Sequence, residues 1–193
     1  FNALIWMQFP QTKAYLNALH VHDIQTYGLN PRTRRRNHIT HFDECGVVLA
    51  VPQNQLEAGN RVLMHLGEHQ WIDGFYHQKH QWNTTLFPFV FGHAVLEMML
   101  NPFIGLTGKW LAVVVANNFP TLSYQQQCEE LDHRLVQRIK HFDDLTPRHL
   151  LKPLPVLGVP EWSKAQTLTF YENEEYFRPK RANAQPTLQL PLT

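Results

Sequence analysis

Two polar stripes on otherwise apolar segments carry the first chemistry this sequence offers. His93, Glu97 and Asn101 fall at i, i+4 and i+8, and Ala94, Val95, Leu96, Met98, Met99 and Leu100 fill the positions between. That spacing puts imidazole and carboxylate on one helix face, where they can ligate one metal ion or form a hydrogen-bonded acid/base pair. Lys13, Asn17 and His20 repeat the pattern beside Tyr15, Leu16, Ala18 and Leu19. An ammonium, an amide and an imidazole on one face suit a phosphate or a carboxylate. Either stripe is equally written by the solvent side of a core helix.

A third group lies between them. Asp43 and Glu44, with His38, Thr40 and His41 just before, supply oxygen and nitrogen ligands of the kind Zn²⁺, Fe²⁺ or Mn²⁺ accept, although acidic residues are also common in turns for steric reasons alone. The chain has no HExxH, Gly-rich phosphate loop, GxSxG elbow or DxDxDG loop. Arg32, Arg34, Arg35 and Arg36 follow Pro31 as the one dense basic run, and guanidinium forks bind phosphate bidentately. No RRM, KH or zinc-finger pattern accompanies them, and most such runs are solvated or paired locally. His65, His69, His77 and His80 read as a His-rich surface.

Burying polar stripes costs free energy unless they meet partners, water or a ligand, so one shared cavity satisfies both at once. The expected site therefore gathers His20, Asp43, Glu44, His93 and Glu97 as catalytic groups, with Lys13, Asn17, Arg36 and Thr40 binding substrate at the margin. His93, Glu97 and His20 are the expected ligands if a divalent metal binds; otherwise His93 and Glu97 form an acid/base pair and His20 is the general base. Asp43 or Glu44 would orient an imidazole. The reading is an enzyme, hydrolytic or phosphate-directed, with a small anionic ligand. Its alternative is a noncatalytic module that binds an anion or RNA through Arg32–Arg36, with affinity falling steeply with salt.

The elements that must position these groups are partly legible. Asn2–Met7 predicts a short helix, and Pro10 begins a second that runs toward Gly28. Residues 31–36 read as a basic loop. Ile39–Phe42 and Val47–Val51 read as a β-hairpin about Asp43-Glu44-Cys45-Gly46, with Gly46 at a positive-φ position. Gln55–Leu66, Trp71–His77 and Gly92–Leu100 read as helices, and Leu86–Phe91 and Trp110–Ala116 as strands, the latter buried on both faces. Ser123 caps a long helix with apolar Cys128, Leu131, Leu135 and Ile139. From Pro147 on, prolines break all periodicity, and the persisting aromatics predict an arm that wraps the core.

The fold expected is thus α+β: a small, mainly antiparallel sheet packed by helices, with residues 1–146 as core domain and 147–193 as an extended Pro-rich arm on it. With 193 residues and a hydrophobic fraction of 44%, the chain can bury a substantial core without disulfide or metal. Net charge of +1 excludes a strongly basic coat or acidic tail. Cys45 and Cys128 form no CxxC pair, which suits a reducing cytoplasm, and no apolar run approaches the ~20 residues of a membrane span.

The segments FNALIWMQFPQTKAYLNALH, RRRNHITHFDECGVVLAV, FGHAVLEMMLNP, PLPVLGVPEW and FYENEEYFRP, in that order, resemble a bacterial protein family catalogued as a domain of unknown function, DUF3025. The resemblance spans nearly the whole chain. It implies bacterial origin, cytoplasmic residence and a longer N-terminus in other members, and it carries no activity, cofactor or catalytic residue. Two positions depart from the family pattern: Cys45, where Asn is common, and Glu161, where Gly follows the proline.

Overall fold

The computed structural model describes residues 1–164 and 166–193. Four strands form one mixed sheet in the order β2-β1-β3-β4, with β1 at Gly46–Pro52, β2 at Phe87–Val90, β3 at Thr107–Val115 and β4 at Lys152–Pro155. The central pair, β1 and β3, is parallel, with Val48 opposite Leu111 and Ala50 opposite Val113, while β2 and β4 run antiparallel at the edges. The expectation of a mainly antiparallel sheet is corrected here. A parallel pair needs a long crossover rather than a turn, and everything from Gln53 to Leu106 supplies it.

Central strands buried on both faces separate two cores by their alternation. Val47, Leu49 and Val51 of β1 and Trp110 and Ala112 of β3 face one side. There α4 (Leu56–Gly67), a π-helical segment (Ile72–His77) and the C-terminal aromatics Tyr171, Tyr176 and Phe177 cover them. Val48, Ala50, Leu111 and Val113 face the other side, under α1 (Asn2–Gln8), α2 (Pro10–Tyr27), α3 (Arg34–Cys45) and α6 (Tyr124–His141). The segment after Pro147 gives β4 to the sheet and Leu150, Leu154 and Leu192 to the cores, so it is part of the sheet rather than only an arm laid over it. Among the described residues no helix is long and apolar enough to cross a membrane.

The expected hairpin is a helix followed by a strand. Residues 34–45 form α3, capped by Thr33, whose Oγ1 accepts the Arg36 amide at 3.1 Å. Arg36, Ile39 and Phe42 lie three apart and are the buried face of this helix. Gly46 has an ordinary φ of −67°; it is required for space, because a Cβ there would lie 2.4 Å from the Phe42 carbonyl oxygen.

Helix α2 starts without a cap of its own, since Phe9 makes no side-chain hydrogen bond. Asp132 of α6 serves instead: its carboxylate accepts the amides of Gln11 at 2.8 Å and Thr12 at 2.7 Å. A buried anion at a helix N-terminus satisfies free amides and the macrodipole together. The bond fixes the rotation of α2 and so the direction of its polar stripe.

Candidate functional site

Helices α1, α2 and α3 enclose a cavity of about 440 Å³. Buried Leu16 and Ile39 form part of its wall. Lys13, Asn17 and His20 reach it from α2, Thr40, Asp43 and Glu44 from α3, and Asn2 and Trp6 from α1, with Arg32 from the intervening loop. Positions 13, 17 and 20 share a face of α2, as do 40, 43 and 44 of α3, so one helix–helix approach aligns both sets.

Lys13 is 3% exposed, and its Nζ donates to Asp43 Oδ1 at 2.5 Å and Asn2 Oδ1 at 2.8 Å. The ammonium also lies 5.7 Å from the centre of the Trp6 ring. Arg32 Nη2 donates to Thr40 Oγ1. The His20 side chain makes no hydrogen bond among the described residues, and its pKa is lowered, first by burial and then by the charges of Arg36 and Arg32. Its imidazole is therefore neutral near pH 7 and able to accept a proton.

His93 stands behind the cavity rather than in its wall. The residue opens a short helix, α5 (His93–Met98), and its Nδ1–H donates to the Asp43 carbonyl at 2.9 Å, with Asp43 Oδ2 at 3.5 Å. Glu97 is exposed and outside the cavity lining. Of the expected catalytic groups the structure thus gathers His20, Asp43 and Glu44, and holds His93 one contact away. The proposed triad of His20, His93 and Glu97 does not share a wall, and among the described residues no three His, Cys, Asp or Glu side chains are placed to hold a metal ion.

Lys13, Asn17 and Thr40 line the cavity as substrate-binding candidates; Arg36 does not. It is 5% exposed and donates to the carbonyls of Gly28 at 3.2 Å and Leu29 at 2.9 Å. Arg35 is bound to Asp23, a carboxylate 1% exposed that also accepts Thr33 Oγ1 at 2.5 Å. Burial would raise the Asp23 pKa, but the Arg35 and Thr33 hydrogen bonds outweigh it and hold the group below the usual carboxylate range. Two of the four arginines are accordingly spent on folding α3 against α2. Asn2 and Trp6 are the lining residues that the stripes did not reveal; their i, i+4 spacing on the first short helix was the available signal.

The profile of a family described as a protein of unknown function, DUF3025, matches residues 1–181. No curated protein and no solved structure matches the chain.

Proposed function

The chain belongs to the DUF3025 family, which assigns no activity, and from the geometry of the cavity between α1, α2 and α3 we propose that it is a hydrolase for small substrates bearing a phosphate or similar anionic group. The observation that carries the reading is the meeting of a neutral imidazole, His20, with Arg32, a guanidinium that makes no ion pair among the described residues, around one cavity in which Lys13 is held by Asp43. Arg32, exposed at the mouth and steadied by Thr40, receives the anion. His20 takes a proton from the water that attacks the phosphorus, the ester P–O bond breaks, and the imidazolium returns that proton to the departing oxygen, while Arg32 faces the developing negative charge. Asn17 supplies a further polar contact, and Glu44 a carboxylate at the rim. Asp43 and His93 position the rest: Asp43 holds Lys13, and His93 holds the last turn of α3.

A noncatalytic anion- or RNA-binding module through residues 32–36 is the competing reading. Only Arg32 and Arg34 of that run are exposed, which favours the cavity over the loop.

Imidazole NMR of the full chain, titrated with inorganic phosphate, tests the site. Phosphate bound beside His20 raises its pKa, because an anion stabilises the imidazolium. A saturable shift of His20 that Arg32→Ala weakens supports the proposal; a His20 resonance indifferent to phosphate contradicts it.

A further inference from the structure

A second cavity, of about 380 Å³, opens on the other side of the sheet, between the β3–β4 edge and residues 175–184. Its size falls within the ~300–1,000 Å³ of small-molecule sites. Trp71 and Tyr176 belong to the core on this face, whereas Leu16 and Ile39 of the first cavity belong to the opposite one.

Three cations line it, Lys152, Arg178 and Arg181, against one carboxylate, Glu175. Lys152 is 9% exposed, and its Nζ donates to the Gln185 carbonyl. Among the described residues none of the three cations makes an ion pair. Burial lowers the Lys152 pKa; the carboxylate that acts on it, Glu68, is itself bonded to Lys180, and among the described residues no carboxylate contacts this ammonium. Register explains the direction of the side chain: Lys152 and Leu154 share a face of β4, and Leu154 is in the core beside Trp71.

His69 supplies an independent sign. It has φ +56°, a conformation uncommon outside glycine and asparagine, and its ring centroid lies 4.7 Å from that of Trp71 at 31°. Its Nδ1 is buried without a hydrogen-bond partner. The left-handed φ of His69 closes the C-terminus of α4, where the Gln70 amide donates to the His65 carbonyl at 2.8 Å and the His69 amide to the Leu66 carbonyl at 3.2 Å; the buried Nδ1 beside the cavity is the part that this cap does not explain.

We propose that this cavity is a ligand site for a small aromatic or heteroaromatic anion, its phosphate or carboxylate met by Lys152, Arg178 and Arg181, its ring laid against Trp71 and Pro153, and a polar ring atom or water reached by His69 Nδ1. The anion completes the charge balance of Lys152, and the apolar walls select for the ring.

Calorimetric titration of the full chain at low salt, with the non-hydrolysable phenylphosphonate, benzoate, phenol and inorganic phosphate as probes, tests this. Phenylphosphonate or benzoate binds saturably and at least 10-fold more tightly than both phenol and inorganic phosphate, and the tighter of the two conjugates identifies the anionic group. Lys152→Met and Arg181→Ala each weaken that binding 10-fold or more, and Arg34→Ala, exposed and outside both cavities, leaves it unchanged. Arg181 is exposed, so its variant remains informative if Lys152→Met unfolds. The proposal is overturned if neither conjugate saturates below 10 mM, if the ring adds nothing to the affinity of the anion, or if Arg32→Ala abolishes binding while Arg181→Ala does not.

Discussion

Lys13 of α2 and Asp43 of α3 meet at 2.5 Å, the ammonium 3% exposed and the carboxylate 27%. Asn2 of α1 shares the same ammonium, so one cation joins the three helices that wall the cavity. His93 donates to the Asp43 carbonyl from the far side, which links this junction to α5 as well.

Removing one partner should therefore cost more than removing both. Asp43→Ala strands the Lys13 ammonium and is expected to destabilise by about 2 kcal/mol, less than a fully buried pair because water reaches Asp43. Lys13→Met combined with Asp43→Leu should recover most of that loss in urea denaturation. A double variant as unstable as the sum of the single ones would contradict this account of the pair.

Gly92 fixes how closely α5 approaches the end of α3. A Cβ there would lie 2.4 Å from both the Glu44 carbonyl oxygen and the Gly46 nitrogen, and backbone atoms cannot swing aside. Gly92→Ala should cost roughly 2–3 kcal/mol. It should also separate His93 from Asp43, visible as a changed His93 imidazole environment; a variant with wild-type Tm and His93 shift would refute the close approach.

Stability should fall on mild acidification. His20 and His69, both part-buried, have pKa values lowered chiefly by burial, so the unfolded chain binds more protons than the folded one below about pH 6.5. Stability then rises with pH through that window and is fully present above it. The urea midpoint at pH 5.5 should lie below that at pH 7.5, and His20→Gln should flatten the difference. Asp23, with its pKa held low, adds a separate loss at more acidic pH. An equal or higher midpoint at pH 5.5 would contradict the burial of these imidazoles.

Glu161 is the clearest candidate for a stabilising change. It has φ +72°, strained for a side chain of this kind. Glu161→Gly relieves that strain and forfeits a 3.1 Å hydrogen bond from exposed Asn83, for a net gain of about 0.5–1 kcal/mol. A lower Tm in this variant would show that the Asn83 bond outweighs the backbone.

These features also mark where sequence reading succeeds and fails. The stripes of α2 and the capping box of Ser123 and Gln126 are local, and periodicity and cap chemistry reveal them. Helix α3 is not local. Three arginines at its N-terminus oppose the helix dipole, and the helix stands with Arg35 paired to Asp23 and Arg36 bonded to the Gly28 and Leu29 carbonyls, contacts with the end of α2 and its loop that the helix's own residues do not announce. Without those partners, Ile39 and Phe42 read as a strand. The parallel pairing of β1 with β3 was hidden for a similar reason, since a hairpin is a local event and a crossover is not. At the site, the face of each helix was legible, but the rotation that buried Arg36 and left Glu97 in solvent depends on packing that no spacing records.

Steady-state hydrolysis of aryl phosphate esters by the full chain tests the central claim most directly. Turnover is expected above background, with His20→Gln lowering kcat at least 100-fold, as removal of a general base does, and Arg32→Ala acting mainly on KM. Absence of turnover, or turnover that survives His20→Gln unchanged, would contradict an anion-directed hydrolase at this cavity.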